Sequence, residues 1–387
     1  MFLSRNHIKN TLALLILTIL IVSCSKENPL EIALKSKSKL IQRVMKSYDD
    51  YELQVIYTQI ERDKNDTPIF KDFEFNVNDS LYFYPASSVK FPIALMALEK
   101  VKELQEKEVH INRKTSFKTQ NDTLYTSIEE AITKIFAVSS NQSYNRLFEF
   151  LGQDYINNNL KSKNLNGRIS HRLSAFHAQN LKTQSIQFKN NPDDSISVYE
   201  QEAIENLPLP KLTIKRLLKG KGYIYNDTLI PQPKDFSENN YLPLRSLHDI
   251  MKRVQFPEKY SASERFDIKP DDYAFVLKAM SLLPQEVGYD KKTYYDSYSK
   301  FFMYGDTKND IPKNIRIYNK VGSAYGYLTD CSYIKDTHNT IEFMISATIH
   351  VNKNGIYNDD NYEYFEVGIP FLAQLGREIY QLEKREQ

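Results

Sequence analysis

Tryptophan is absent from the 387 residues, and cysteine occurs only twice, at Cys24 and Cys331. With Cys24 lying ahead of the fold, no disulfide framework is available and stability has to come from a buried core. An excess of one charge sign is missing too. The 51 Lys and Arg face 49 Asp and Glu, and a formal charge of +2 gives no electrostatic case for a nucleic-acid partner. The histidines (His7, His110, His171, His177, His248, His338 and His350) show no HxH or HExxH spacing, so no metal or other cofactor is expected. No internal repeat is present. The lack of tryptophan, beside plentiful Lys, Asn, Tyr and Ile, reflects coding bias without functional content. What remains, 41% hydrophobic and 26% charged residues, describes a globular chain long enough for one large domain or two lobes.

The apolar run Leu12 to Val22 is too short for a comfortable transmembrane helix, which needs about 20 residues. Arg5, His7 and Lys9 precede it and Ser23-Cys24 follows, the anatomy of a secretory signal over residues 1–23. Ile21-Val22-Ser23-Cys24 resembles a bacterial lipobox; an ordinary signal with an incidental cysteine is the alternative. The resemblance implies lipidation of Cys24, a lipid anchor in the membrane, and a domain in the extracytoplasmic cell envelope, periplasm-facing or at the outer-membrane surface. Residues 24–50 then hold the lipidated Cys, a Lys-rich tether and a first amphipathic helix, Leu30 to Tyr48. Cys331 is left as a buried small hydrophobe without chemistry.

Residues 51–387 read as an α+β domain. Tyr51 to Ile60 has strand-like alternation, and Phe70 to Phe75 and Ser80 to Tyr84 are extended. Val89 to Leu104, Ile128 to Val138, Tyr144 to Leu151, Leu244 to Val254 and Tyr273 to Leu283 have helical spacing. Ile315 to Val321, Thr329 to Lys335 and Ile341 to Val351 predict three consecutive strands, and Phe365 to Leu382 a closing helix. This gives an antiparallel sheet lobe (51–85 and 284–387) flanked by N- and C-terminal helices, and an all-helical lobe (86–283). The Pro-punctuated stretch 183–243 is an insertion with short strands, one of them Tyr223 to Ile230.

Serine is a weak nucleophile until a neighbouring base takes its proton. In Ser87-Ser88-Val89-Lys90 the lysine returns one helical turn later to the face of the serine. Helix N-terminal N–H groups would favour a developing oxyanion. A lysine buried beside another cation can lose enough basicity to act as the base. Ser23, Ser36, Ser297 and Ser332 also have a lysine three residues on. Only Ser87 opens a long apolar helix after extended segments. Ser23 lies in the leader, Ser36 in a charged stretch and Ser297 in a Tyr-rich polar one. Ser332 lies in a strand, where three-residue spacing separates the faces. Two weaker signals follow. Ser139-Ser140-Asn141 places a hydroxyl and an amide on a short turn. Lys320-Val321-Gly322-Ser323 ends a strand before a Tyr-Gly-Tyr turn, with Arg316, Tyr318 and Lys320 on one face. Ser-x-Asn is commonplace, and Lys353-Asn354-Gly355 is a second Lys-x-Gly.

In this order the three segments resemble the SxxK, SxN and KxG motifs of the penicillin-binding protein and serine β-lactamase superfamily, and class A most. Ala86 to Phe91 is similar to the nucleophile segment. Ser139 to Asn141 with Asn145 is similar to the SDN helix start. Lys320 to Ser323 through Tyr325-Gly326 and Thr329-Asp330 is similar to the KTG strand and its return. The resemblance implies a β-lactamase/transpeptidase-like fold and a small-molecule substrate, a β-lactam or a peptidoglycan peptide, in a monomer. It implies that Ser87 is acylated, Lys90 takes or relays its proton, and Ser139 passes a proton to the leaving nitrogen. Asn141 would bind the acyl-side amide, Lys320 with Gly322 and Ser323 the remainder of the substrate, and the backbone N–H groups of Ser87 and Ser323 the oxyanion.

Three departures stand out. Ser140 replaces the SDN aspartate, and Val321 the KTG threonine, with Ser323 a substitute hydroxyl. The segment Arg168 to Asn180 matches the ExxLN loop that carries the deacylating glutamate in class A, yet holds no acidic residue. Glu200, Glu202 and Glu205 come later, and His171 and His177 are substitute bases or plain hydrogen-bonded histidines. Three readings follow. One is a β-lactamase-type serine hydrolase, and another a D-alanyl-D-alanine peptidase or esterase that β-lactams acylate and leave only slowly. The third is a catalytically lapsed binding lipoprotein of the cell envelope.

Overall fold

The computed structural model describes residues 28–386; the expected signal and the lipidation at Cys24 lie outside the described residues. At the C-terminal end, Tyr325 and Gly326 both take positive φ (55° and 81°), the two-residue turn that matches strand twist. It joins the strand Ile315–Ala324 to Tyr327–Asp336 with Ala324 opposite Tyr327. Tyr327–Asp336 pairs with Ile341–His350, which pairs with Gln54–Arg62, which pairs with Pro68–Phe75. All five strands are antiparallel. The central strands are buried on both faces, which is why their sequences are apolar runs rather than clean alternations.

One face of this sheet packs on the C-terminal helix Ile369–Glu386, with Phe371, Leu372, Leu375 and Ile379 meeting Phe343, Ile345 and Ile349 in one core. The single N-terminal helix expected over Leu30 to Tyr48 is instead two short ones, Pro29–Leu34 and Lys39–Met45. Polar chemistry breaks it. The Ser36 hydroxyl donates to Glu378 Oε1 at 2.7 Å and accepts from Ser38 N at 3.2 Å, diverting the backbone at the junction.

The opposite face meets the second lobe, built on the helix Lys90–Glu106, whose residues Phe91 through Leu98 are all buried. Around it stand Ile128–Val138, Asn141–Leu151, Gln153–Ser162, Leu244–Gln255 and Pro270–Ser281. Besides the short strands expected within 183–243, this lobe holds two strands, Ser116–Thr119 and Thr126–Ser127, where only helix was expected. A four-stranded sheet runs Thr126–Ser127, Ser116–Thr119, Ile186–Lys189, Tyr199–Gln201. Segments of two to four residues paired across about 70 positions of chain carry no periodicity of their own. The expected strand Tyr223 to Ile230 is a hairpin, Gly222–Tyr225 with Thr228–Ile230, turned by Asn226 and Asp227 at φ 46° and 58°. Ser80 to Tyr84 forms only an isolated bridge, Leu81 to Lys215. Among the described residues no helix is long and apolar enough to cross a membrane.

Candidate active site

Ser87 lies in a 3-10 turn, Ala86–Val89, that leads into the helix Lys90–Glu106. The tighter turn brings positions i and i+3 into register, so Ser87 and Lys90 share an edge. Ala86 holds φ at +47°, an uncommon conformation for a residue with a Cβ, and Ser88 fastens the turn by donating its hydroxyl to Pro85 O at 2.7 Å. Ser87 is half-buried and faces the cleft; Lys90 is fully buried.

Ser139 ends the helix Ile128–Val138 in the left-handed conformation, φ 57°. Ser140 caps the next helix, its hydroxyl accepting from Ser143 N at 3.2 Å, and so braces the turn by capping rather than by a buried carboxylate. This brings Ser139 to both lysines: Lys320 Nζ donates to Ser139 Oγ at 2.9 Å and Lys90 Nζ to the same oxygen at 3.3 Å. Lys90 Nζ also donates to Ser139 O and, at 2.6 Å, to Asn141 Oδ1, while Lys320 Nζ donates to Val321 O at 2.7 Å. Ser87 Oγ makes no hydrogen bond to either lysine; Lys90 Nζ directs all three donors at Ser139 and Asn141, and Lys320 Nζ directs two at Ser139 and Val321.

Burial and proximity shape the charges. Burial, reinforced by Lys320, holds the Lys90 ammonium well below its ordinary value. Burial pushes Lys320 down to about 7; Asp330 opposes that shift and Lys300 adds to it. Gly322 allows the strand to lie against the turn that carries Ser87: a Cβ there would sit 2.6 Å from Pro85 O, 2.9 Å from Ser88 N and 3.0 Å from Ser87 N. Ser87, Asn141 and Ser323 line two adjoining hollows, of about 450 and 300 Å3. Val321 and Ser139 line the second, so the valine in the KTG position presents methyl groups to the cleft.

The loop 168–180 is fixed by Asn145, which donates to Leu173 O at 3.0 Å and accepts from Leu173 N at 2.8 Å. Asn141 Nδ2 donates to Ser174 Oγ at 2.9 Å, so Ser174 is the hydroxyl that this loop brings to the Ser87 hollow. The expected substitute bases are elsewhere. His171 and His177 line a neighbouring hollow, and burial first, then Arg168, lowers His171 to about 4. Glu200, Glu202 and Glu205 do not line the cleft; among the described residues its only lining carboxylate is Asp360.

The sequence reading missed a clip behind the site. Ser299, inside the Ser297-to-Lys300 motif, donates its hydroxyl to Ala137 O at 3.0 Å and Phe136 O at 3.3 Å, on the helix that carries Ser139. Asn319 Nδ2 donates to Ser299 O at 2.9 Å, and Lys300 Nζ donates to Ile317 O at 2.9 Å and Asn319 Oδ1 at 3.0 Å, on the strand that carries Lys320. Asp330, on the next strand, accepts from Phe301 N at 2.9 Å and Asn319 Nδ2 at 3.0 Å. The clip ties the two lobes together where Ser139 meets Lys320. No spacing in the sequence signals it, and the polar composition of Ser297 to Lys300 hides its burial.

A serine–histidine pair elsewhere in the molecule is a dead end. Ser346 and Thr58 flank His248 at 2.7 Å each, but all three side chains are sealed in the core, where no substrate can reach. Among the described residues no group of three or more His, Cys, Asp or Glu could hold a metal.

The model of a β-lactamase enzyme family matches residues 36–201, the stretch that contains Ser87, Lys90, Ser139 and Asn141. No curated protein sequence matches the chain. Among solved structures, PBP-A superposes with a TM-score of 0.51 at 14% identity, over 93% of this chain and 97% of that one. A point mutant of PBP-A, described as an acyl-enzyme complex with penicillin G, gives 0.51 and 14% over 92% and 97%. A β-lactamase from Sphaerobacter thermophilus gives 0.49 at 11% identity over 92% and 96%. Over residues 36–201 the chain is thus similar to a β-lactamase enzyme family, and the fold it shares with PBP-A extends over nearly its whole length.

Proposed function

We propose that the chain is a β-lactamase-type serine enzyme that forms a covalent acyl-enzyme at Ser87 from a β-lactam or related amide. The observation that carries this reading is Ser139 Oγ held between Lys90 Nζ and Lys320 Nζ at 3.3 and 2.9 Å beside Ser87. In this reading a Lys90 made less basic by burial takes the Ser87 proton as the hydroxyl attacks the carbonyl carbon. The N–H groups of Ser87 and Ser323 stabilise the oxyanion, and Ser139 hands a proton to the departing nitrogen. Lys320 attracts the substrate carboxylate, and Asn141, with Gly322 keeping the strand close, orients the acyl amide. Lipidation at Cys24 would hold this activity at a membrane surface in the extracytoplasmic envelope.

One observation favours the peptidase- or esterase-like variant of this reading. The loop that enters the cleft supplies Ser174 in place of a carboxylate, so this loop brings no base to activate water against the ester. Each 1.4 kcal/mol added to the deacylation barrier slows release about tenfold. A fluorescent penicillin should label the protein stoichiometrically and persist, and a chromogenic cephalosporin should give a burst followed by slow turnover. Ser87→Ala should abolish both signals. Labelling that survives Ser87→Ala, or a folded wild type that never labels, ends this reading.

The lysine charge sets a pH limb. Lys320 is a base whose buried ammonium gives up its proton near pH 7, so above that pH the cation facing a substrate carboxylate is progressively lost. Second-order acylation by a carboxylate-bearing β-lactam should decline above about pH 7, approaching tenfold per pH unit. In Lys320→Arg the guanidinium stays charged, and the decline should move beyond about pH 10. Wild-type rates that stay flat to about pH 9 would contradict it.

A further inference from the structure

Two consecutive aspartates follow the strand Ile341–His350, and they are used differently. Asp359 is committed within its loop, accepting from Asn354 Nδ2 at 2.7 Å and Asn361 N at 3.0 Å. Asp360, at φ 56°, is exposed and makes no hydrogen bond or ion pair among the described residues. It lines the hollow of about 450 Å3 that holds Ser87 and Ser323, together with Tyr84, Tyr325, Tyr362 and Tyr364.

This arrangement is built into the fold. Asn358 N donates to Tyr362 OH at 2.7 Å, Asn358 Nδ2 to Ile224 O at 3.0 Å, and Gly326 N to Tyr364 OH at 2.8 Å, so loop, inserted hairpin and sheet turn are fastened together. Tyr84 and Tyr325 meet edge to face at 5.0 Å, and Tyr362 and Tyr364 lie 5.3 Å apart. Ring faces are electronegative and attract ammonium groups. Tyr325 already receives one, since Lys234 Nζ stands 5.3 Å from its centroid. Among the described residues no lysine or arginine lines this hollow. The two site lysines lie beneath it, at 0% and 1% exposure, with their donors turned to Ser139, Asn141 and Val321. An arriving ligand therefore meets one carboxylate and a set of tyrosine rings.

Ser139, which serves the leaving nitrogen, lines the other hollow and not this one, so this side receives the acyl portion. We propose that the tyrosine-lined hollow with Asp360 at its rim is a subsite for a cation, and that Ser87 prefers amides whose acyl side carries an ammonium group. The proposal rests on the Ser87 reading above for its chemistry, but its binding step is separable.

Ampicillin, which carries an acyl-side ammonium, and Nα-acetylampicillin, in which that charge is removed, form a matched pair. On Ser87→Ala protein at low ionic strength, equilibrium binding should favour ampicillin about five- to tenfold, the combined scale of an exposed charge pair and cation–π contacts. Asp360→Asn should cut the ratio to the roughly twofold that the tyrosine rings alone supply, Asp360→Lys should invert it, and salt should weaken the wild-type preference. A ratio near one with Asp360 intact, or a preference unmoved by both substitutions, overturns the proposal. Because no chemistry is involved, a failure of the wild type to become acylated counts against Ser87 and leaves the binding ratio to decide the subsite.

Discussion

Gly322→Ala should lower second-order acylation by roughly a hundredfold while leaving the protein folded. The added Cβ would fall 2.6 Å from Pro85 O and within 3.0 Å of Ser87 N and Ser88 N, all backbone atoms at the turn that carries Ser87. No flexible side chain is there to yield, so the strand and the turn must separate. That separation moves the Ser323 N–H away from the Ser87 N–H and stretches the contact between Lys320 and Ser139, now 2.9 Å. A displacement of about 1 Å in a reacting geometry costs on the order of a hundredfold in rate. The strain is confined to one edge contact, and overpacking of this kind destabilises by about 1–3 kcal/mol. Stopped-flow labelling with a fluorescent penicillin reads the rate, and thermal unfolding reads the fold. Acylation within threefold of wild type would show that the close approach of strand to turn is incidental.

That contact also shows why part of the site was legible in sequence. Ser87 and Lys90 are three residues apart on one turn, and local geometry alone brings them together. Lys320 to Ser323 could be placed because a strand followed by Tyr325-Gly326 announces both its end and its hairpin. The relation between Ser139 and Lys320 spans 181 positions, and only the order of the motifs hinted at it. The clip of Ser299, Lys300, Asn319 and Asp330 was not legible at all. Ser299 and Lys300 are polar and mimic a solvated loop, and the contacts that bury them against Asn319 and Asp330 follow from pairings that no periodicity encodes. The same holds for the Asp360 loop. Asp359 and Asp360 are adjacent and chemically identical, and only backbone direction assigns one to the loop and the other to the cleft. The break between Leu34 and Lys39 was hidden for a related reason. The apolar spacing runs on through it, while the Ser36 hydroxyl answers to Glu378 at the far end of the chain.

Ser174→Glu should convert a persistent label into turnover, shortening the lifetime of the Ser87 adduct by roughly a hundredfold. Ser174 accepts from Asn141 Nδ2 at 2.9 Å and lines the hollow that contains Ser87, so a longer side chain from the same Cα extends toward the space in front of the ester. Position 174 already holds φ at +49° with a non-glycine residue, and glutamate, unbranched at Cβ, adds no new backbone demand. Position 174 is exposed, so the new carboxylate stays ionised at neutral pH, as a base must. A positioned general base contributes about a hundred- to ten-thousandfold to water attack, and the lower end is expected for a group without evolved supports. Intact-protein mass spectrometry follows the decay of the penicilloyl adduct, and a chromogenic cephalosporin should pass from a stoichiometric burst to many cycles. Ser174→Gln, with the same reach but no basicity, should stay acylated like wild type. Equal adduct lifetimes for the glutamate and glutamine proteins would mean that water does not approach the ester from the side of this loop.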